Sequence, residues 1–178
     1  MTVQGAAPPI PKLRFLTKAT YGVGSTAYGV AGTALGTSTV TFYLNQVVGI
    51  PAALAALAIA ISLVIDAVID PLIGQWSDNV RTPWGRRHPF MYAAAVPCAA
   101  ACFFLWHPPH GWPPNAVFGF MLAMLVLMRF SVALYETAST ALTPELAPDY
   151  HERTNLISYR FFFLVAGGGA MEIGRAHV

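Results

Sequence analysis

Two aspartates one helical turn apart, Asp66 and Asp70, interrupt a run that is otherwise uncharged over residues 51–76. The run exceeds the ~20 residues a helix needs to cross the hydrocarbon core of a bilayer. The i,i+4 spacing puts both carboxylates on one helical face, with ~6 Å between their Cα atoms. An ionised aspartate at the centre of such a helix costs about 2.5–3.5 kcal/mol on the insertion scale. Two of them in one span must hold an ion for transport, hold a metal for chemistry, or serve as counter-charges. The other residues of the chain decide among those three possibilities.

The composition supports the membrane assignment. Of 178 residues, 56% are apolar and only 10% charged, against about 25% charged in soluble domains, and the mean hydropathy is +0.55. The expected fold is all-α, a polytopic transmembrane helix bundle in a cell membrane. A net charge of +2 and the lack of any Lys/Arg run longer than two residues exclude a nucleic-acid groove. Cys98 and Cys102 lie i,i+4 in an apolar segment with no His or acid beside them, and read as small helix residues rather than metal ligands. Residues 1–16 read as an N-terminal tail. They contain no short apolar region followed by a small-residue cleavage site, so the first apolar run is expected to stay in the protein as a membrane helix.

That first run, residues 19–50, is longer than a single span requires, so it is expected to tilt, kink or extend beyond the lipid. It holds Gly22, Gly24, Gly29, Gly32 and Gly36, with Thr33, Thr37, Thr39 and Thr41. The pair Gly32 and Gly36 has the spacing that admits a neighbouring backbone. The threonines either bond their own helix carbonyls or line a polar cavity. Further helices are expected over residues 51–76, 90–106 and 116–142, then a charged connection over 143–160 and a fifth helix from 161. The bundle proper is taken as residues 17–171. Residues 173–178, Ile-Gly-Arg-Ala-His-Val, look like a translated sequencing adapter, so 172–178 are expected to be a non-native tail on an N-terminal fragment.

Lysine and arginine alternate between the connections. Lys12, Arg14 and Lys18 precede the first helix, and Arg81, Arg86 and Arg87 lie in the second connection; Arg153 and Arg160 lie in the fourth. The first and third connections have none. By the positive-inside rule the N-terminus and the even connections face the cytoplasm. Depth along the helices can then be compared. Arg129 falls 13 residues into the fourth apolar run, and Asp66 falls 15 into the second; Glu136 and Asp70 fall 20 and 19 residues in. If these helices are neighbours, an Asp66–Arg129 ion pair and an Asp70–Glu136 carboxylate pair are both expected. Three acids against one base leave the group net negative, which attracts a cation or holds protons. Pro71 removes the hydrogen bond to the Ala67 carbonyl and is expected to loosen the helix beside Asp70.

The nine-residue stretch from Asp66 to Gly74, Asp-Ala-Val-Ile-Asp-Pro-Leu-Ile-Gly, is followed by Arg81-x-x-Trp-Gly-Arg-Arg-x-Pro89. Together they resemble the signature of the glycoside–pentoside–hexuronide:cation symporters, the melibiose-permease-like branch of the major facilitator superfamily. The resemblance continues through Glu136, Tyr150-His-Glu-Arg153 and Ser158-Tyr-Arg160, and covers most of residues 17–165. It implies a symporter of twelve helices, of which about five are present and the C-terminal half is missing. It also implies a sugar or glycoside substrate and Na⁺ or H⁺ as the coupling ion, with no other cofactor. Asp66, Asp70 and Glu136 match its cation-binding acids, and would be the metal ligands if the ion is Na⁺. Arg160 matches an arginine that contacts sugar. Thr140, at a family tryptophan position, and Arg129, for which no family counterpart is named, complete the substrate-binding candidates. Gly74, Asp78, Arg81, Gly85, Arg86 and Arg87 form the expected gating loop at the cytoplasmic face. Two positions depart from the pattern: Gly29 replaces a sugar-binding aspartate of the first helix, and Ile69 replaces an asparagine near the cation.

One enzyme reading competes, a membrane prenyltransferase holding a diphosphate through aspartate-bound Mg²⁺. It needs a second aspartate cluster on another helix pair, and only Glu136 is available. The chain is therefore expected not to be an enzyme.

Overall fold

A computed structural model describes residues 13–80, 82–83, 85 and 87–176, apart from the side chains of 175 and 176. Among these residues the secondary structure is helical throughout: α1 (Phe15–Ala34), α2 (Thr37–Phe42) with a π-helical turn (Tyr43–Val47), α3 (Ala52–Asn79), α4 (His88–Trp106), α5 (Pro114–Leu146) and α6 (Tyr150–Ala176). Helices α3, α4, α5 and α6 are each long and apolar enough to cross a membrane. Helix α1 is diluted by glycine, threonine and Lys18, and it joins the bundle by packing along α6. Helix α5 lies between α3 and α4 and packs against both.

The long first run does kink. Leu35 caps α1, Gly36 leaves helical geometry at φ −53° and ψ 136°, and the helix restarts at Thr37. Irregular backbone at membrane depth is tolerated only where protein or a cavity surrounds it. Leu35 is buried, and it lines the central cavity with Gly32. A second irregularity follows, where the Val48 amide reaches back five residues to the Tyr43 carbonyl at 3.0 Å.

The close approach of α1 to its neighbour occurs at different glycines from the expected pair. A methyl group on Gly29 would run into the Leu164 carbonyl of α6, and one on Gly167 would lie 2.6 Å from the Thr26 carbonyl. Gly32, by contrast, meets nothing within 4 Å and faces the cavity. The spacing of small residues is visible in the sequence; which helix face meets a partner is not. Of the threonines in this run, Thr20 and Thr41 bond carbonyls of their own helices at 2.8 and 2.6 Å.

The expected charged connection over residues 143–160 is instead almost entirely helical. Helix α5 runs to Leu146 and α6 starts at Tyr150. Asp149 accepts a hydrogen bond from the Glu152 amide at 3.1 Å, the side-chain cap that starts α6. Arg153 donates to the Ala147 carbonyl at 3.3 Å beyond the end of α5. Charge ends the apolar run here without ending the helix. Proline does not end one either, since α3 passes through Pro71 unbroken.

Two apolar clusters bracket the middle of the bundle. One gathers Tyr43, Leu44, Ile59, Leu105, Met121 and Leu125, and the other Ile73, Phe90, Ala94, Ala133, Leu134 and Ala138. Outside them, Val64, Val68, Leu72 and Trp76 form an i,i+4 stripe down α3, each more than half exposed. Such a continuous apolar stripe is a liability in water and an ordinary lipid-facing surface in a bilayer.

Candidate functional site

Between the two apolar clusters lies a polar layer carried by α1, α3, α5 and α6. It borders a cavity of about 280 Å³ lined by Tyr28, Asp66, Asp70, Arg129, Glu136 and Thr137, among others. One of the two expected pairs is formed. Arg129 Nη1 donates to Asp66 Oδ2 at 3.1 Å, with the side chains 14% and 26% exposed. The matched depths on α3 and α5 bring these two residues together. The second nitrogen, Nη2, reaches the Leu35 carbonyl at 3.4 Å, at the break between α1 and α2.

The other expected pair is not formed. Glu136 turns to α6 and pairs with Arg160 through Oε1, which also accepts a hydrogen bond from Thr140 Oγ1 at 3.2 Å. An arginine partner relieves the desolvation of a half-buried carboxylate, which a second carboxylate would only worsen. Arg160, expected in a connection, is instead two turns and more inside a helix, because α6 starts early; it is buried at the depth of Glu136. Counting Arg160, the layer holds three acids against two bases.

Asp70 is exposed on the cavity wall and makes no hydrogen bond or ion pair among the described residues. Arg129 Nε and Glu136 Oε2 are buried with no hydrogen-bond partner. The layer therefore offers a carboxylate, a buried acceptor and a buried donor to whatever enters. Among the described residues no cluster of three or more His, Cys, Asp or Glu side chains is disposed to hold a metal ion.

Two tyrosines belong to this layer, and no sequence motif marks them. Tyr21 Oη donates to the Ser139 carbonyl at 2.6 Å and lies 2.7 Å from Thr143 Oγ1; Arg160 Nη1 donates to it at 3.4 Å. It thus ties α1 to α5 and α6 beside the Glu136–Arg160 pair. Tyr28, seven residues further along α1, lines the cavity. Their only signal in the sequence is that i,i+7 spacing, which keeps both on one side of the helix.

A separate polar cluster sits at the end of the bundle where α3 stops and α4 starts. Arg87, itself buried, donates to Asp78 at 3.0 Å, to Ser77 Oγ at 3.3 Å and to Glu145 at 3.4 Å. Gly85 takes a left-handed turn at φ +91°, where a side chain would be strained, and Gly74 faces Thr137 of α5 in ordinary contact. Arg81 and Arg86 lie outside the described residues. At the same end, Lys18 pairs with Glu152 at 2.7 Å, joining the starts of α1 and α6.

A helical membrane bundle with paired charges around a central cavity has the build of a solute carrier rather than of a soluble enzyme. The sequence pattern of the family described as MFS/sugar transport protein matches residues 20–177, and the chain belongs to that family. It is 37% identical over 161 residues to an uncharacterized symporter of Synechocystis, an alignment covering 88% of this chain and 29% of the relative. It is 29% identical to YagG of Escherichia coli, provisionally named a glycoside/cation symporter, over 90% of this chain and 35% of the relative. It is also 32% identical to the sphingosine-1-phosphate transporter of Mus musculus, over 88% and 31% respectively. The chain thus spans about a third of the length of these relatives. Their names are those of membrane transporters, which leaves the diphosphate-enzyme alternative without support.

Proposed function

We propose that this chain is part of a secondary active transporter that carries a sugar or glycoside together with a cation, Na⁺ or H⁺. The observation that carries the proposal is the cavity itself: Asp66, Asp70, Arg129 and Glu136 converge on one 280 Å³ space in the middle of a membrane bundle. Intramembrane charges of this kind mark ion and substrate pathways. A solute with many hydroxyls would find acceptors on Asp70 and Glu136, and donors on Arg129, Tyr28 and Thr137. The family description and the glycoside relative favour this cargo class.

In this reading Asp70, which makes no hydrogen bond or ion pair among the described residues, accepts the coupling ion within the acid group it forms with Asp66 and Glu136. Loading that ion removes a repulsive charge from the wall and favours solute binding, and both are released after the two halves of the transporter rock about the site. Arg160 and Thr140 would hold the solute edge nearest Glu136. Arg87 with Asp78, together with Gly74, Gly85, Arg81 and Arg86, would form the cytoplasmic latch. The N-terminus and the lysine- and arginine-bearing connections would face the cytoplasm of a cell membrane.

The test is uptake by the complete transporter in proteoliposomes, using radiolabelled glycosides under an imposed Na⁺ or H⁺ gradient. Accumulation above equilibrium that collapses with the gradient supports the proposal. Equilibration at the same rate with and without either gradient rejects coupled transport.

A further inference from the structure

Arg129 bonds two oxygens of the layer at once, and its position bears on the identity of the coupling ion. A sodium ion in this layer would need several oxygens arranged around one point, typically carboxylates supplemented by carbonyls where a helix is broken. The layer has both kinds of oxygen, on Asp66 and on Leu35 at the break between α1 and α2. The Arg129 guanidinium bonds the two of them together, Nη1 to Asp66 at 3.1 Å and Nη2 to Leu35 at 3.4 Å. The third acid is also engaged, because Glu136 Oε1 is held by Arg160 and Thr140. Asp70 and Glu136 Oε2 keep oxygens without a hydrogen bond among the described residues, but the Asp66 and Leu35 oxygens beside the helix break are already joined by Arg129.

We infer that Arg129 is a tethered cation occupying the alkali-cation position beside Asp66, and that it makes this transporter independent of sodium. The inference rests on the cation-coupled reading above and narrows it, leaving H⁺ as the coupling ion. The guanidinium supplies a positive charge and planar donors to both oxygens and cannot be deprotonated in a protein. A metal ion arriving at Asp66 would meet that charge at contact distance in a poorly screened space. The charged and titratable groups facing the position come from every surrounding helix: Tyr28 of α1, Asp66 and Asp70 of α3, Arg129 and Glu136 of α5, and Arg160 of α6 through Glu136. Among the described residues, Arg129 is the group that bonds both oxygens.

The experiment is thermal unfolding of the complete purified transporter in detergent, in NaCl and in choline chloride at equal ionic strength. A ligand that binds only the folded state raises the melting temperature. The wild type and Arg129→Lys should melt at the same temperature in both salts. Arg129→Gln should gain a sodium-dependent rise of several degrees, as the freed Asp66 and Leu35 oxygens accept the metal. A sodium-dependent rise in the wild type would overturn the inference, as would no rise in a folded Arg129→Gln. If Arg129→Gln does not fold, Arg129→Ala takes its place, and the wild-type arm remains decisive. Because binding is read directly, this result stands apart from whether gradient-driven uptake is found.

Discussion

Among the described residues the ion pairs fall into two groups, and they differ in what they leave open. At the α3/α4 end, Arg87 is enclosed by Asp78, Ser77 and Glu145, while its partner carboxylates stand 61% and 48% exposed. In the middle, Glu136 and Arg160 are 25% and 9% exposed, and one oxygen of the pair stays buried without a partner. The end cluster resembles a clamp whose outer surface is solvated. The central layer is deeper, incompletely bonded and open to the cavity. Exposed pairs contribute little to stability, whereas removing one partner of a buried pair strands a charge. The difference is that the central layer keeps buried polar atoms without hydrogen-bond partners, Arg129 Nε and Glu136 Oε2, beside the cavity.

Stability measurements on the complete transporter sharpen the contrast. Arg160→Ala leaves the half-buried Glu136 carboxyl without its counter-charge, and is expected to cost about 3–5 kcal/mol. The double variant Arg160→Gln with Glu136→Gln should recover much of that loss, and a cost equal to the single change would show that the pair is not the reason. Arg87→Ala removes a hydrogen bond to Ser77 and two pairs with exposed partners, so about 1–2 kcal/mol is expected. Denaturant unfolding or detergent melting of the two arginine variants side by side checks the order; equal losses would erase the distinction between the regions. Asp149→Ala, which removes the cap of α6, should cost about 1 kcal/mol. Glu145→Gln should stay within about 0.5 kcal/mol, because its carboxylate is half exposed and Arg87 keeps Asp78.

Much of this layer is legible in the amino-acid pattern alone. The i,i+4 aspartates, the depth of Arg129 and the scarcity of other charges lead directly to the Asp66–Arg129 pair. The Glu136–Arg160 pair is hidden, because a cluster of charges over residues 143–160 suggests a loop outside the membrane. The helix starts there because Asp149 caps it, with Glu152 three residues on, a local signal that the hydrophobic pattern overshadows. The faces of α1 are hidden for another reason. Gly22, Gly29 and Gly32 have similar surroundings in sequence, and only the approach of α6 separates the two that pack from the one that lines the cavity. Tyr21 and Tyr28 fall under the same rule, since nothing local marks a tyrosine whose hydroxyl will meet α5, as that of Tyr21 does, or one that will line the cavity, as Tyr28 does.

Coupling of ion movement to solute movement falls, in this account, to Asp70, which makes no hydrogen bond or ion pair among the described residues. Asp70→Asn keeps the shape of the cavity wall and removes the charge. In proteoliposomes carrying the complete transporter, the variant should lose accumulation against a gradient, by at least about tenfold, while still exchanging labelled for unlabelled solute. Accumulation by Asp70→Asn equal to that of the wild type would contradict the account.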